Sequence, residues 1–353
     1  MYLSNHPTKE EASKYVASLI INRINTFKPN QNRKFVLCLP TGSTPLLVYK
    51  ELARRCEGGE ISFEHVITIN LDEYVGLSSD HPQSYYQFME ENFDIPSNQF
   101  HLLPGLPIPP HTTPQESCAS YESLITSLGG INLLFMGIGE NGHIAFNEPC
   151  SSFRGRTKVV KLNEDTRRVN ARFFDDPSEV PTHALSMGIG TILDSHEIVV
   201  LAIGQKKAEA VRKAMEDGVN HLCPASALQS HENVIFVTDD EASQNLRKTT
   251  KDYLASQIPC QRGSMTSSIG CIECIGSIES IGSIGRPVVS GDCCRTSGNQ
   301  GRAINTNEDS DPTKQVDHSD ITLLSKGKIK IDEKLDSKIN NDDDQGDQDC
   351  NCL

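Results

Sequence analysis

The sequence has no tryptophan, few aromatic residues and few cations. Aromatic side chains make up 6% of the 353 residues, and 33 Lys and Arg are outnumbered by 47 Asp and Glu, which gives a formal net charge of −14. Because nucleic acids attract basic proteins, this acidic balance argues against nucleic acid as a partner. Because the overall electrostatic field of the protein does not favour anions, an anionic small molecule would have to be bound by a local cluster of hydrogen-bond donors.

Long apolar runs are absent as well. No stretch approaches the roughly 18 apolar residues of a membrane span, and the opening residues, MYLSNHPT, lack the apolar segment of a signal peptide. Scattered cysteines without metal-ligand spacing suit a reducing compartment. We therefore expect a cytoplasmic protein with no membrane segment. The five cysteines of the first 258 residues are Cys38, Cys56, Cys118, Cys150 and Cys223.

Composition changes near Ile258. Strand-like and helix-like segments alternate before it, whereas residues 259–353 are rich in Ser, Gly, Asp and Asn. We predict a folded domain at 1–258 and a disordered tail at 259–353, because the tail has little apolar surface to offset the entropy of ordering. A CxxC beginning at Cys271 and a terminal box at Cys350 are weak signals for zinc and prenylation, and neither pattern is complete.

Apolar runs of strand length alternate with helical periodicity through the first 258 residues. The expected strands are 35–39, 66–70, 100–103, 133–136, 197–204 and 234–238. The expected helices are 9–25, one starting at Pro45 with Thr44 as its N-cap, 84–92, one ending at Gly129, one ending at Asp217, and 242–254. This order predicts an α/β fold with a mostly parallel sheet between helices and ligands at the carboxyl ends of its strands.

Polar clusters follow three of these strands. Gly42, Ser43 and Thr44 form a strand–glycine turn–helix unit, which has the architecture of a phosphate site but is also compatible with an ordinary turn. Asp72 comes after the second run and could be a general base, although it or Glu73 could equally cap a turn. Since the carboxyl ends of parallel strands share one edge, we favour a single site.

The third cluster follows strand 133–136, in the segment INLLFMGIGENGHIAFNEP (131–149). Gly137 and Gly139 interrupt the apolar run, and His143 follows with a carboxylate at Glu148. Such a pair can hold the imidazole in one tautomer and move protons near neutral pH, or it can be purely structural. Further along, Arg172 lies among apolar residues, which suggests either a buried ion pair or an anion clamp.

In register, these motifs resemble the glucosamine-6-phosphate deaminase family over residues 1–256. The motifs that carry the resemblance are LPTGSTP (39–45), NLDEYVGL (70–77), DHPQSY (80–85), GHIAFNEP (142–149), NARFFD (170–175) and GVNH (218–221). The resemblance implies a Rossmann-like three-layer αβα sandwich that is a homo-oligomer, a hexamer in one branch. It also implies conversion of glucosamine 6-phosphate and water to fructose 6-phosphate and ammonium, with no metal and no cofactor.

The resemblance also implies roles for individual residues. His143, oriented by Asn141 and Glu148, would open the sugar ring, and Asp72 would move a proton between C2 and C1. Phosphate would be held by the remaining donors, with Lys207 preferred over Lys206: Gly42, Ser43, Thr44, Arg172 and Lys207.

The chain departs from the family pattern in two places. Asn141 replaces the Asp of many members, so the imidazolium would be less stabilised. An allosteric phosphate site for N-acetylglucosamine 6-phosphate is matched at Ser151 and Tyr253, but Lys158, Val160 and Lys161 replace Arg, Lys and Thr. Losing one cation and moving another should weaken that site.

Two other functions stay open on the sequence. A 6-phosphogluconolactonase shares the expected fold and resembles the chain near the glycine turn. A sugar-phosphate sensor would keep the pocket without turnover, although it would not need Asp72 opposite His143.

Overall fold

Residues 1–258 form the part of the chain that the computed structural model describes, with the exception of 94–98, 108–109, 111–112 and 175. The predictions for the tail, including those at Cys271 and Cys350, lie outside the described residues. Among the residues described, no helix is long and apolar enough to span a lipid bilayer.

Ten strands and nine α-helices are described. The strands are β1 (Tyr2–His6), β2 (Phe35–Leu39), β3 (Val66–Asn70), β4 (Asp72–Tyr74), β5 (Phe100–His101), β6 (Leu133–Gly137), β7 (Lys158–Lys161), β8 (His183–Ser186), β9 (Ile198–Ala202) and β10 (Val234–Asp239). The helices are α1 (Lys9–Phe27), α2 (Leu46–Glu57), α3 (Tyr85–Asn92), α4 (Pro114–Ser127), α5 (Glu164–Asn170), α6 (Ile189–Leu193), α7 (Ala208–Glu216), α8 (Asp240–Ser243) and α9 (Lys248–Ser256).

Seven strands form one sheet in the order β1-β10-β9-β6-β2-β3-β5, and every pairing in it is parallel. The central strands are buried on both faces because their residues alternate between two cores. In β2, Val36 and Cys38 join one core, while Phe35, Leu37 and Leu39 join the other. The predicted α/β sandwich with a mostly parallel sheet is therefore confirmed.

The two cores pack against different helices. One face of the sheet is covered by α1 and α2, which contribute side chains such as Ile20 and Leu52, and the other by α4 and α7, which contribute Ile125 and Val211. A smaller antiparallel sheet, β4-β8-β7, lies beyond the carboxyl end of β3, since Asp72 follows Asn70 after one residue. The sequence did not predict this second sheet.

Several predicted boundaries need correction. The segment expected as one helix over 242–254 is divided into α8 and α9, because the backbone N–H of Arg247 donates to Glu216 Oε1 (2.9 Å) between them. The first strand, β1, was not predicted; it pairs with β10 along its whole length. Strands β2 and β3 have the predicted bounds.

Tyr121 anchors the end of β3 that leads into the site. Its buried Oη accepts from the backbone N–H of Asn70 (3.0 Å) and donates to the carbonyl of the same residue (2.8 Å). Asn70 in turn donates through Nδ2 to the carbonyl of Leu39 (3.0 Å), which links the ends of β3 and β2.

We expect Tyr121→Phe to lower the free energy of unfolding by about 1–3 kcal/mol, because it leaves a buried N–H without its acceptor. Urea denaturation followed by circular dichroism measures this change. Tyr253→Phe is the matched control, because that side chain is 63% exposed. Loss of its hydroxyl should change the free energy of unfolding by less than about 0.5 kcal/mol. Equal stability of the two variants would contradict the assignment.

Candidate active site

The strand order of the large sheet places four polar segments side by side. β9, β6, β2 and β3 are consecutive neighbours, and each is followed along the chain by a predicted site residue. From β2 the chain proceeds outward to β3 and β5, whereas β6, on the other side of β2, leads to β9 and β10. The strand order thus reverses between β2 and β6, and such a switch point opens a crevice at the carboxyl edge.

A glycine and a hydrogen bond determine the conformation of the turn after β2, which lies at this edge of the sheet. Gly42 has φ +90°, a conformation that a residue with a Cβ adopts only with strain. Tyr49 Oη donates to the carbonyl of Pro40 (2.5 Å), which fixes the start of the turn from helix α2. Ser43 is exposed and Thr44 half-buried. The turn therefore presents one hydroxyl to solvent and one to the fold.

The predicted cap of α2 was wrong. The helix begins at Leu46, Pro45 occupies the N-cap position, and no side chain caps the helix. The reason is a tight turn in which the N–H of Leu46 donates to the carbonyl of Ser43 (3.3 Å). Thr44 lies instead against the end of β6, where a Cβ added to Gly137 would be 3.9 Å from Thr44 Cγ2. An uncapped helix start with nearby hydroxyls suits an anion.

The loop after β6 forms a chain of hydrogen bonds through three side chains. Asn141 Oδ1 is 2.8 Å from His143 Nδ1, and Asn141 Nδ2 donates to Glu148 Oε2 (2.8 Å). Because a carboxylate can only accept, the amide nitrogen must face Glu148 and the amide oxygen must face the ring. His143 therefore carries its proton on Nδ1, and Nε2 is left as the basic nitrogen.

Two glycines make room for this arrangement. A Cβ on Gly139 would come within 2.2 Å of His143 Cε1, so the imidazole lies directly against the backbone there. Gly142 has φ +85°, and a Cβ on it would be 2.5 Å from Cys223 Sγ. The N–H of Ala225 also donates to the carbonyl of Gly142 (2.9 Å). The loop is thus packed from behind by the segment 223–225.

The surroundings of His143 favour its neutral form. Burial lowers the pKa of His143, and the charge of Lys207 lowers it further, against an opposing effect of Glu148. Burial likewise lowers the pKa of Lys207, which is half-buried after β9, whereas Lys206 is exposed. Glu148 Oε2 is 3.8 Å from His143 Nδ1. A neutral imidazole with a free Nε2 can accept a proton near neutral pH.

Asp72 is attached to the same edge by the small sheet. In β4 it pairs with Ser186 of β8, and Ser186 Oγ accepts from the N–H of Phe146 in the His143 loop (3.0 Å). One residue on, the carbonyl of Met187 accepts from Asn147 Nδ2 (2.8 Å). Residues 186–187 therefore connect the segment that carries Asp72 directly to the loop that carries His143.

Glu73, next in sequence, is the carboxylate that caps a helix. It is 2% exposed and accepts from the backbone N–H groups of Tyr74 (2.7 Å), Tyr85 (3.0 Å) and Tyr86 (3.0 Å), the last two being the first residues of α3. Of the two roles left open by the sequence, capping thus belongs to Glu73. Burial raises its pKa to about 7, while the three donors act in the opposite direction.

Asp72 itself is also buried. Burial raises its pKa to about 8, and the charge of Glu73 raises it further. A carboxyl with a pKa this close to neutrality can both remove and return a proton.

Arg172 lies in a 3-10 turn, Ala171–Phe173, directly after α5, and it is exposed, so a buried ion pair is not its role. The same segment packs on the Asp72 strand: Asn170 Nδ2 donates to Tyr74 Oη (2.8 Å), and the Phe174 ring is 6.1 Å from that of Tyr74. Stacking between Tyr85 and Phe146 completes an aromatic cluster here. No pattern in the sequence predicts this aromatic cluster.

The predicted effector residues occupy separate elements. Lys158 and Lys161 are the ends of β7 and Ser151 is half-buried after the His143 loop, while Tyr253 lies exposed on α9. An effector site at these positions stays a prediction. Within the described residues, no group of three or more His, Cys, Asp or Glu is arranged to hold a metal ion.

The fold and the site define a class of protein: a doubly wound α/β domain with titratable side chains at its switch point. The chain belongs to the family of glucosamine-6-phosphate isomerases and 6-phosphogluconolactonases, whose sequence model matches residues 7–237.

Similar proteins narrow this class. A glucosamine-6-phosphate deaminase from Proteus mirabilis (strain HI4320) is 49% identical over 259 residues, which are 72% of this chain and 95% of that protein. The solved structure of a monomeric glucosamine-6-phosphate deaminase is 41% identical, with a TM-score of 0.64 over 69% of this chain and all of the other. A 6-phosphogluconolactonase from Trypanosoma brucei is 21% identical, with a TM-score of 0.57 over 70% of this chain and 98% of the other, and shares the fold alone.

The raised pKa of Asp72 has a consequence for stability. The folded-state pKa of about 8 exceeds the value of about 3.9 expected in the unfolded chain. Between these values the folded protein binds the proton more tightly, so the free energy of unfolding falls as pH rises from about 4 to about 8.

We expect Asp72→Asn to lose this pH dependence. The difference in free energy of unfolding between Asp72→Asn and the parent protein should shift by about 4 kcal/mol in favour of the variant as the pH rises from 5 to 8.5. Urea denaturation at both pH values measures the difference, with Glu232→Gln at an exposed position as the control. Parallel pH profiles for the parent and Asp72→Asn would show that this carboxyl is ionised in the fold.

Proposed function

We infer that this protein is a glucosamine-6-phosphate deaminase, which converts glucosamine 6-phosphate and water to fructose 6-phosphate and ammonium. The observation that carries this inference is 49% identity to a deaminase over 95% of that protein's length. The lactonase alternative has weaker support, since the lactonase structure is only 21% identical and speaks to the fold alone. Amino-sugar catabolism is the corresponding metabolic setting.

We propose that His143 opens the sugar ring. Its Nε2 would accept the proton of the anomeric hydroxyl, and the same nitrogen would then donate that proton to the ring oxygen as the ring opens. The support for this role is the fixed tautomer, because Asn141 Oδ1 accepts a hydrogen bond from Nδ1–H and Nε2 is left for the sugar. Glu148 would stabilise the transient imidazolium at 3.8 Å.

Asp72 would act on the opened sugar. As a carboxylate it would take the proton from C2 while the ammonium group of the substrate gives a proton to the C1 oxygen, which yields an enol-type intermediate, and Asp72 would then return its proton to C1. The C2 imine formed in this way would add water and release ammonia. At neutral pH the buried carboxyl is near its pKa of about 8, and the cationic amine of the substrate would favour its ionised form.

The substrate phosphate would lie at the glycine turn. Gly42, Ser43 and Thr44 would supply the uncapped start of α2 and two hydroxyls, while Lys207 and Arg172 would supply charge. The half-burial of Lys207 supports its choice over the exposed Lys206.

Location, assembly and regulation are further proposals. A cytoplasmic homo-oligomer follows from the sequence pattern and the resemblance, although one similar deaminase of known structure is described as monomeric. Activation by N-acetylglucosamine 6-phosphate should be weak, because the cation pattern at Lys158 and Lys161 is altered.

The direct test is to mix the purified protein with glucosamine 6-phosphate and to measure ammonium and fructose 6-phosphate in equal amounts. Asp72→Asn should lower kcat by at least about 1,000-fold, since no base remains for C2, while substrate binding by calorimetry persists. Binding without turnover in the parent protein would identify a sensor, and hydrolysis of 6-phosphogluconolactone instead would identify a lactonase.

His143→Gln should impair ring opening specifically. We expect kcat to fall about 100-fold or more with the cyclic substrate, and to fall much less with an analogue locked in the open chain. Parallel progress curves for the two substrates measure the ratio. Equal losses on both would show that His143 has a different role.

A further inference from the structure

The carboxylate of Glu148 has a second hydrogen-bond donor. Its Oε2 is bound by Asn141, and its Oε1 accepts from Thr166 Oγ1 (2.9 Å). Both oxygens are thus held by neutral donors from different parts of the chain. A carboxylate with only one of these donors could rotate about its last torsion, which is broad for Glu.

Thr166 is itself fixed in place by its helix. Its backbone N–H donates to Asn163 Oδ1 (2.6 Å), the N-cap of α5. Thr166 is half-buried, so its hydroxyl is partly shielded from competing water. The helix thereby sets the position of the donor, and the hydroxyl transmits that position to Glu148.

Two contacts fix the amide of Asn141, and Glu148 makes one of them. Asn141 Nδ2 donates to Glu148 Oε2, while Asn141 Oδ1 accepts from the backbone N–H of His143 (3.1 Å) and lies against His143 Nδ1, so Glu148 helps to keep the amide oxygen facing the ring. If the amide turned over, its nitrogen would face Nδ1, the ring proton would move to Nε2, and no basic nitrogen would be left for the sugar.

We propose that Thr166 is a positioning residue of the ring-opening site: its hydroxyl holds Glu148 in the orientation that keeps Nε2 of His143 free to act as a base. The expected effect of Thr166 on turnover rests on the proposed function, whereas its expected effect on the tautomer of His143 does not. It also gives α5 a direct link to the site, because Arg172 follows this helix at its carboxyl end.

The test compares Thr166→Val, which keeps the shape but loses the hydroxyl, with Thr166→Ser, which keeps the hydroxyl. We expect Thr166→Val to lower kcat about 10-fold with less than a twofold change in KM, and Thr166→Ser to stay within about threefold of the parent. Thr126→Val, at an exposed position on α4, is the matched control and should behave like the parent.

A double-mutant cycle separates this role from a structural one. In a Glu148→Gln background, adding Thr166→Val should change kcat by less than about twofold, since the group that it positions has already been altered. An undiminished 10-fold loss in that background, or no loss in the single variant, would overturn the proposal.

The tautomer provides a readout that does not depend on activity. Side-chain ¹⁵N NMR, with the His143 signals assigned by their loss in His143→Gln, should show Nδ1–H in the parent and a mixture of tautomers in Thr166→Val. An unchanged tautomer in Thr166→Val would overturn the inference. Failure of the parent protein to release ammonium would instead refute the proposed function and leave this measurement intact.

Discussion

The reversal of strand order between β2 and β6 is the constraint on which the rest of the structure depends. On one side of this point the chain adds β3 and β5 to the sheet, and on the other side it adds β9 and β10. The carboxyl ends of β9, β6, β2 and β3 are therefore adjacent. The glycine turn, the imidazole, the buried carboxyl and Lys207 all follow these four strands. A parallel sheet with its strands in another order could contain every one of these motifs and still place the groups far apart.

The adjacent carboxyl groups of Asp72 and Glu73 have different surroundings. Glu73 accepts from three backbone N–H groups, one in β4 and two at the start of α3, whereas Asp72 is buried to nearly the same depth in a strand that pairs with Ser186. Its pKa of about 8 makes the folded state less stable at alkaline pH, a cost that is common at sites where a reactive group must stay poised. The same burial that weakens the fold at alkaline pH also supports the role proposed for Asp72.

The large sheet was predictable because its strands are continuous apolar runs. Strands 35–39 and 66–70 have the expected bounds, and the three polar clusters were expected at one edge. The small sheet was not, because β4 is three residues long and its pairing depends on 183–186, more than a hundred residues away. Thr44 was misjudged as a cap because a tight turn at Ser43 competes with it, and Thr166 carries no local signal because its partner is 18 residues distant. The roles of the site residues stay predictions that rest on geometry and on the family.

The amide at position 141 limits where a proton on His143 can move. An amide has no proton-transfer route comparable to that of a carboxylate, since it would have to pass through a high-energy imidic acid. Asn141 therefore separates the imidazole from Glu148 as an insulator: it aligns the two groups but does not let a proton cross. A proton taken up at Nε2 must leave by the same nitrogen, so in the proposed mechanism the hydrogen removed from one oxygen of the sugar would be delivered to another oxygen of the same molecule.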